Sequence, residues 1–186
     1  MTTVLITYAS QYGHTERYAH WISEQLGGGY RCELLPVEDL TEAAIEKSDA
    51  VVAGLSDYGG FLTGASALKK HAGLLAQRPL ALFTVSFSGL EGGSQEKLDA
   101  MLSKNIKEIL VSHAISTCHV RGGLDHTRLS LKHKAALAGI RSAIAAIPRK
   151  SLANQQMLDS FTAKTVDYSS PEQIEPLVTA LKTALS

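Results

Sequence analysis

Residues 10 to 15 read Ser-Gln-Tyr-Gly-His-Thr, a stretch that gathers successive backbone N–H groups and the Ser10 and Thr15 hydroxyls around one point. It follows the aliphatic run Val4 to Tyr8 and opens a helical pattern at Thr15, so the positive end of a helix dipole falls at the same place. An anion belongs there. The loop has no lysine, which excludes the triphosphate-binding glycine-lysine loop, and with Gly13 alone it lacks the three glycines of a dinucleotide fingerprint. A monophosphate suits this set best. Taken singly, the same residues also describe an ordinary strand-to-helix turn with its cap.

Two further loops carry the argument past that reading. Ser56-Asp57-Tyr58-Gly59-Gly60-Phe61 and Ser86-Phe87-Ser88-Gly89-Leu90-Glu91-Gly92-Gly93 each follow a strand-like run and combine aromatic rings with glycines and hydroxyls. In an open parallel sheet the strand C-termini share one edge, and ligands bind there at the point where strand order reverses. A flat aromatic ligand bearing one phosphate fits all three loops. Any one of Tyr58, Phe61 and Phe87 also has the alternative of packing on a neighbouring loop.

The elements that must position these loops are legible as alternating patterns. Strand-like runs lie at Val4 to Tyr8, Arg31 to Leu35, Ala50 to Leu55, Leu80 to Ser86 and Ala114 to Val120. Helical patterns lie at Thr15 to Leu26, Thr41 to Lys47, Ala65 to Leu75, Gln95 to Leu110, Leu129 to Ile147 and Pro171 to Leu185. Strand and helix alternate, and the unalternated apolar runs of the first, third and fourth strands suit burial on both faces. The class is therefore doubly wound α/β, with residues 1–186 as one domain. Pro148 to Tyr168 has little periodicity and is expected to be an extended loop.

Composition narrows the function. The 186 residues have zero formal net charge and are 45% hydrophobic, with no run of the roughly 18 apolar residues that a membrane span needs. Balanced charge gives no footprint for nucleic acid. The N-terminus enters a strand at once, without a basic n-region, which predicts a cytoplasmic location. Cys32 and Cys118 read as buried free thiols, and no cluster has metal-ligand spacing.

At Tyr8-Ala9-Ser10-Gln11-Tyr12-Gly13-His14-Thr15-Glu16-Arg17-Tyr18-Ala19-His20-Trp21-Ile22 the chain resembles the flavodoxin FMN-phosphate signature, with Thr7 departing from the usual aliphatic or aromatic residue. Within flavodoxin-like proteins it is most similar to the menaquinone-dependent protoporphyrinogen oxidase family. Gly54 to Gly59, Lys69-Lys70-His71-Ala72, Arg78 to Ser86, Val166-Asp167-Tyr168 and Pro171 to Ile174 resemble that family's segments in order. The resemblance implies a five-stranded parallel sheet of order 2-1-3-4-5 with helices on both faces. It also implies that Ser10, Gln11, Tyr12, Gly13, His14 and Thr15 hold the FMN phosphate. Ser56, Tyr58, Gly59, Gly60, Ser86, Phe87, Ser88 and Gly89 would then enclose the flavin ring. In such proteins a glycine peptide beside flavin N5 can flip to accept the proton that reduction adds, and Gly59-Gly60 is the candidate.

Charge bears on the kind of flavin chemistry. Flavodoxin-type carriers are usually strongly acidic, which steers them onto basic partners, whereas this chain has a pI near 7.1. Residues 121–150 hold 7 basic residues against Asp125 alone, while residues 1–120 hold 9 basic against 13 acidic. Arg121 and Arg128 near the flavin edge would suit a substrate with carboxylates, such as a porphyrinogen. Leu129, Leu131, Leu137, Ile140, Ile144 and Ile147 would let the following helix lie peripherally on a membrane holding quinone, or simply dock it on the sheet. The expected function is an FMN-dependent oxidoreductase of the protoporphyrinogen dehydrogenase type that passes electrons from a porphyrinogen-like substrate to quinone. The alternatives are a flavodoxin-like electron carrier and a flavin-free binding module. No side chain stands out as an obligatory catalytic base, although His119, His126 and Asp57 are titratable groups placed near the strand ends.

Overall fold

The computed structural model describes residues 1–92 and 94–186. Its central sheet runs β2-β1-β3-β5-β6, formed by β1 (Thr2–Tyr8), β2 (Tyr30–Pro36), β3 (Ala50–Tyr58), β5 (Leu80–Ser86) and β6 (Ala114–Arg121). All four pairings along this path are parallel. The order is the expected one, and the reversal lies between β1 and β3. A short β4 (Phe61–Thr63) folds back antiparallel on β3. That strand carries only three residues, too few to show a period in the sequence.

Every residue of β5 is buried, because helices cover both sheet faces. On one face α1 (His14–Leu26) and α10 (Glu175–Ala184) bring Tyr18, Ile22, Leu177 and Leu181 onto Val4, Ile6, Val52 and Phe83. The other face belongs to α2 (Glu42–Glu46), α3 (Ala65–Lys70), α4 (Ala72–Leu75), α6 (Gln95–Asn105) and α7 (Glu108–His113). There Leu68, Leu75, Leu102 and Leu110 pack on Leu5, Val51, Leu55 and Leu82. A single turn, α5 (Gly89–Gly92), follows β5.

Three expectations change. The helix expected over Gln95 to Leu110 is two helices, broken where Ile106 turns extended and buries its side chain in the core. The helix expected over Ala65 to Leu75 breaks at His71. The segment expected to be a loop over Pro148 to Tyr168 instead holds α9 (Leu152–Ala163) and β8 (Thr165–Asp167). With β7 (Gly123–Asp125) and α8 (Leu131–Ala145) it forms an excursion from the sheet edge, a helical hairpin whose two arms are joined at the base by the antiparallel β7–β8 pair.

Candidate functional site

The C-terminal ends of β1, β3, β5 and β6 meet the underside of the helical hairpin around a cavity of about 520 Å³. The β1–α1 loop contributes Ser10, Gln11, Tyr12, His14 and Thr15. The β3–β4 region contributes Ser56, Asp57, Tyr58, Gly59 and Phe61, and the end of β5 contributes Val85, Ser86, Phe87 and Ser88. The sheet edge is continued by Gly122, Gly123 and Leu124, and the hairpin closes over it with Ala136, Leu137, Ile140 and Met157.

At the phosphate-type loop, Ser10 Oγ accepts the Gly13 N–H at 3.1 Å, which leaves the hydroxyl proton to be donated to a ligand. Thr15 lies in the first turn of α1 and is 1% exposed, yet it lines the cavity. Its neighbouring backbone N–H groups are those that a helix cannot pair internally. The His14 ring has partners of its own. Its Nδ1 lies 3.0 Å from Ser169 Oγ and 3.6 Å from Asp167 Oδ1, so the ring turns toward the strand end after β8. Burial pushes its pKa down against the pull of Asp167.

The aromatic walls are tied to the hairpin. Tyr58 stacks on His133 with ring centres 3.9 Å apart and planes 28° from parallel. The Tyr12 hydroxyl and His133 Nδ1 are hydrogen-bonded at 2.6 Å. His133 thus fastens α8 to both the β1 and β3 loops. Across the cavity Phe87 meets Tyr168 edge-on at 5.6 Å.

Eleven of the sequence-expected residues line the cavity, while Gly13, Gly60 and Gly89 do not. Gly13 holds the loop from behind through its N–H. Gly60 is the second residue of the β3–β4 turn, one step away from the wall. Gly89 packs under Arg121, where a Cβ would lie 2.6 Å from the Arg121 Cγ. The sequence reading missed the hairpin residues and the strip Gly122-Gly123-Leu124. Gly122-Gly123 was a readable signal, a fourth glycine loop at the same sheet edge. A Cβ at Gly123 would stand 2.4 Å from the Val166 carbonyl oxygen and 2.7 Å from His14 Cε1, so only glycine admits this close crossing.

The expected use of Arg121 as a free carboxylate-binding group is corrected by its surroundings. It is 4% exposed; Nε donates to the Phe87 carbonyl at 3.3 Å, a terminal nitrogen donates to Gln156 Oε1 at 2.8 Å, and the guanidinium lies 3.8 Å over the Tyr168 ring. Arg121 is a strut joining the β5 loop to α9. Arg128 is exposed and does not line the cavity. His119 also stands apart, fixed between Thr84 Oγ1 at 2.6 Å and Asp99 Oδ1 at 3.0 Å. His126 packs against Phe161. Asp57 lines the cavity, and burial pushes its carboxyl pKa up against the Gly60 N–H that bonds it.

Comparison with known proteins adds one decisive match: the model of the flavodoxin domain fits residues 5–147. The chain belongs to the flavodoxin domain family. Among solved structures it is similar to a short-chain flavodoxin associated with a non-canonical PDU bacterial microcompartment, at 16% identity and a TM-score of 0.49, covering 65% of this chain and 84% of that one. Oxidised flavodoxin 2 from Bacillus cereus gives 16% and 0.47, with 88% and 97% covered. The NAD(P)H:(acceptor) oxidoreductase FerB from Paracoccus denitrificans gives 18% and 0.40, with 57% and 73% covered. No curated protein matches. The family match carries the assignment.

FMN is the cofactor of flavodoxins, and this cavity fits it. Ser10, Thr15 and the start of a 13-residue helix line one part of it, where they would meet a phosphate. Tyrosine and phenylalanine rings flank a mostly apolar chamber of a size usual for small-molecule sites. No lysine or arginine lines it among the described residues, so helix and hydroxyls would meet the phosphate charge.

Proposed function

We propose that this flavodoxin-family protein is an FMN-dependent oxidoreductase acting on small molecules. Ser10, Gln11, Tyr12, His14 and Thr15 would hold the phosphate, with Gly13 supporting them from behind. Ser56, Tyr58, Gly59, Ser86, Phe87 and Ser88 would surround the flavin ring, with Gly60 and Gly89 shaping the loops that carry them. Bound FMN supplies the two-electron chemistry; the chain's own residues bind, orient and exclude water.

The observation that carries this reading is the hairpin. Leu137 and Ile140 of α8 and Met157 of α9 lie over the cavity, where a carrier would present its flavin edge to a protein partner. A chamber roofed by aliphatic side chains admits a flat, apolar molecule instead. The finer reading, supported by the protoporphyrinogen oxidase resemblance, is oxidation of a porphyrinogen-like substrate with quinone as acceptor. The hairpin's outer side agrees with peripheral contact with a quinone-bearing membrane. Leu131 is 84% and Leu152 67% exposed, close in sequence to Lys134, Arg149 and Lys150, which are largely exposed. No helix among the described residues is long and apolar enough to cross a membrane.

One observation favours the carrier alternative. Phe61, at the cavity mouth, is 78% exposed and would serve a docking protein equally well. The experiment is anaerobic oxidation of protoporphyrinogen by the FMN-loaded protein with a soluble quinone analogue. Porphyrin formation that depends on bound FMN supports the dehydrogenase. Its absence from a fully loaded protein overturns that substrate.

A further inference from the structure

The β3–β4 turn is held from two sides by groups of different chemistry. Asp57 pairs with Leu62 and Tyr58 with Phe61, leaving Gly59 and Gly60 as the two turn residues, at φ 61° and 89°. Asn105, at the end of α6, donates from Nδ2 to the Gly60 carbonyl at 3.0 Å and accepts the Leu62 N–H at 3.2 Å. That neutral amide anchors the far side at any pH. On the near side Asp57 Oδ1 accepts the Gly60 N–H at 2.7 Å. This N–H and the Gly59 carbonyl belong to one trans peptide, so the bond fixes the direction of that carbonyl.

Asp57 is the sole carboxyl lining the cavity among the described residues, and Gly59 lines it too. The titratable groups that line the same cavity are Tyr58 on its own strand and Tyr12 and His14 from the β1–α1 loop, and His133 of α8 stacks on Tyr58. Asn105 of α6 is neutral. Asp57 takes part in no ion pair among the described residues.

We propose that Asp57 is a proton-operated clasp on the Gly59–Gly60 peptide, closed when the carboxylate holds the Gly60 N–H and released when the carboxyl is protonated. Charge-assisted hydrogen bonds are roughly twice as strong as neutral ones, so protonation weakens the hold without removing the acceptor. Glycine at both turn positions lets the freed peptide rotate cheaply. Burial pushes the carboxyl's pKa up, which brings the switch nearer to neutral pH. Where the proposal touches the cofactor it rests on the FMN reading: bound FMN, once reduced by its electron donor, would bring negative charge to the chamber, and a solvent proton on Asp57 would then be favoured and the peptide released. Asp57 is a positioning residue in this scheme, acting through the Gly59–Gly60 peptide.

The test has two readouts. In the flavin-free protein, the Gly60 amide resonance is followed by NMR from about pH 4 to pH 8, a range that spans raised carboxyl values. The parent is expected to show a titration step in that resonance, absent from Asp57→Asn, which keeps the acceptor but cannot ionise. A flat profile in the parent, or a step that survives in the variant, overturns the clasp whether or not FMN binds. In the FMN-loaded protein, the midpoint potential plotted against pH is expected to bend at the same titration in the parent and to lose that bend in Asp57→Asn. Superimposed potential curves would overturn the coupling to the cofactor. Failure of both proteins to bind FMN would instead overturn the functional reading and leave the first readout to judge the clasp.

Discussion

Thr15 lines the cavity and is 1% exposed, so water would compete poorly there for a phosphate oxygen held as proposed. Replacing it with valine keeps the shape and removes the donor. A hydrogen bond to a charged group contributes about 1.5–3 kcal/mol, so Thr15→Val is expected to weaken FMN binding by roughly ten- to a hundredfold, read by quenching of flavin fluorescence. Equal affinity in the two proteins would place the phosphate elsewhere. Asp57 makes a second prediction at this scale. Its pKa is raised on folding, so the native state binds more protons than the unfolded chain and stability falls as pH rises through that interval. Asp57→Asn should therefore be more stable than the parent at pH 7, and the difference should vanish below the unfolded carboxyl range near pH 4. Urea titrations at both pH values check this; a variant less stable at pH 7 would show that the ionised carboxylate favours the fold.

At the scale of elements, the hairpin of α8 and α9 is secured by His133 between Tyr12 and Tyr58 and by Gln156 on Arg121. His133→Ala removes the stacking and the hydrogen bond together. It is expected to speed release of FMN and to hasten proteolytic cutting in the segment joining the two helices, residues 146–151. Unchanged cutting and release would mean that Arg121 and the apolar underside hold the hairpin without it. These elements also show what a sequence discloses. β1, its loop and α1 were legible because an apolar strand, a hydroxyl-rich turn and a 3.6-residue period follow one another within 25 residues, and β3 and β5 were legible as continuous apolar runs. Leu152 to Ala163 was not. That helix packs on α8 and roofs the cavity, but buries only Ser160 fully, so it lacks a continuous apolar stripe. β7 and β8 have three residues each, and their pairing depends on the close crossing at Gly123 rather than on side-chain pattern. Arg121 was read as a free cation because sequence gives charge and place but not the partners that surround it.

For the whole molecule, the excursion is tied back to the sheet layer by Asp167, which accepts from Arg17 at 2.5 Å and lies beside His14. Burial alone would raise its pKa, but the hydrogen bonds from Arg17 and Ser169, with His14 nearby, hold it down to about 2. A carboxylate whose pKa is lowered on folding gives stability that is complete above its unfolded value and lost as pH falls toward the folded one. The parent should therefore lose stability between about pH 4 and pH 2 more steeply than Asp167→Asn, and the slopes of unfolding free energy against pH measure it. Equal slopes would remove Asp167 from the acid response. The same arrangement is what the proposed small-molecule function rests on, the carrier being its alternative. The most direct measurement is stopped-flow reoxidation of the dithionite-reduced, FMN-loaded protein, comparing a short-chain quinone analogue with a one-electron protein acceptor such as a cytochrome. Fast, saturable reoxidation by the quinone and slow reaction with the cytochrome is the predicted result; rapid transfer to the cytochrome with a sluggish, unsaturable quinone reaction would contradict the account and identify a carrier.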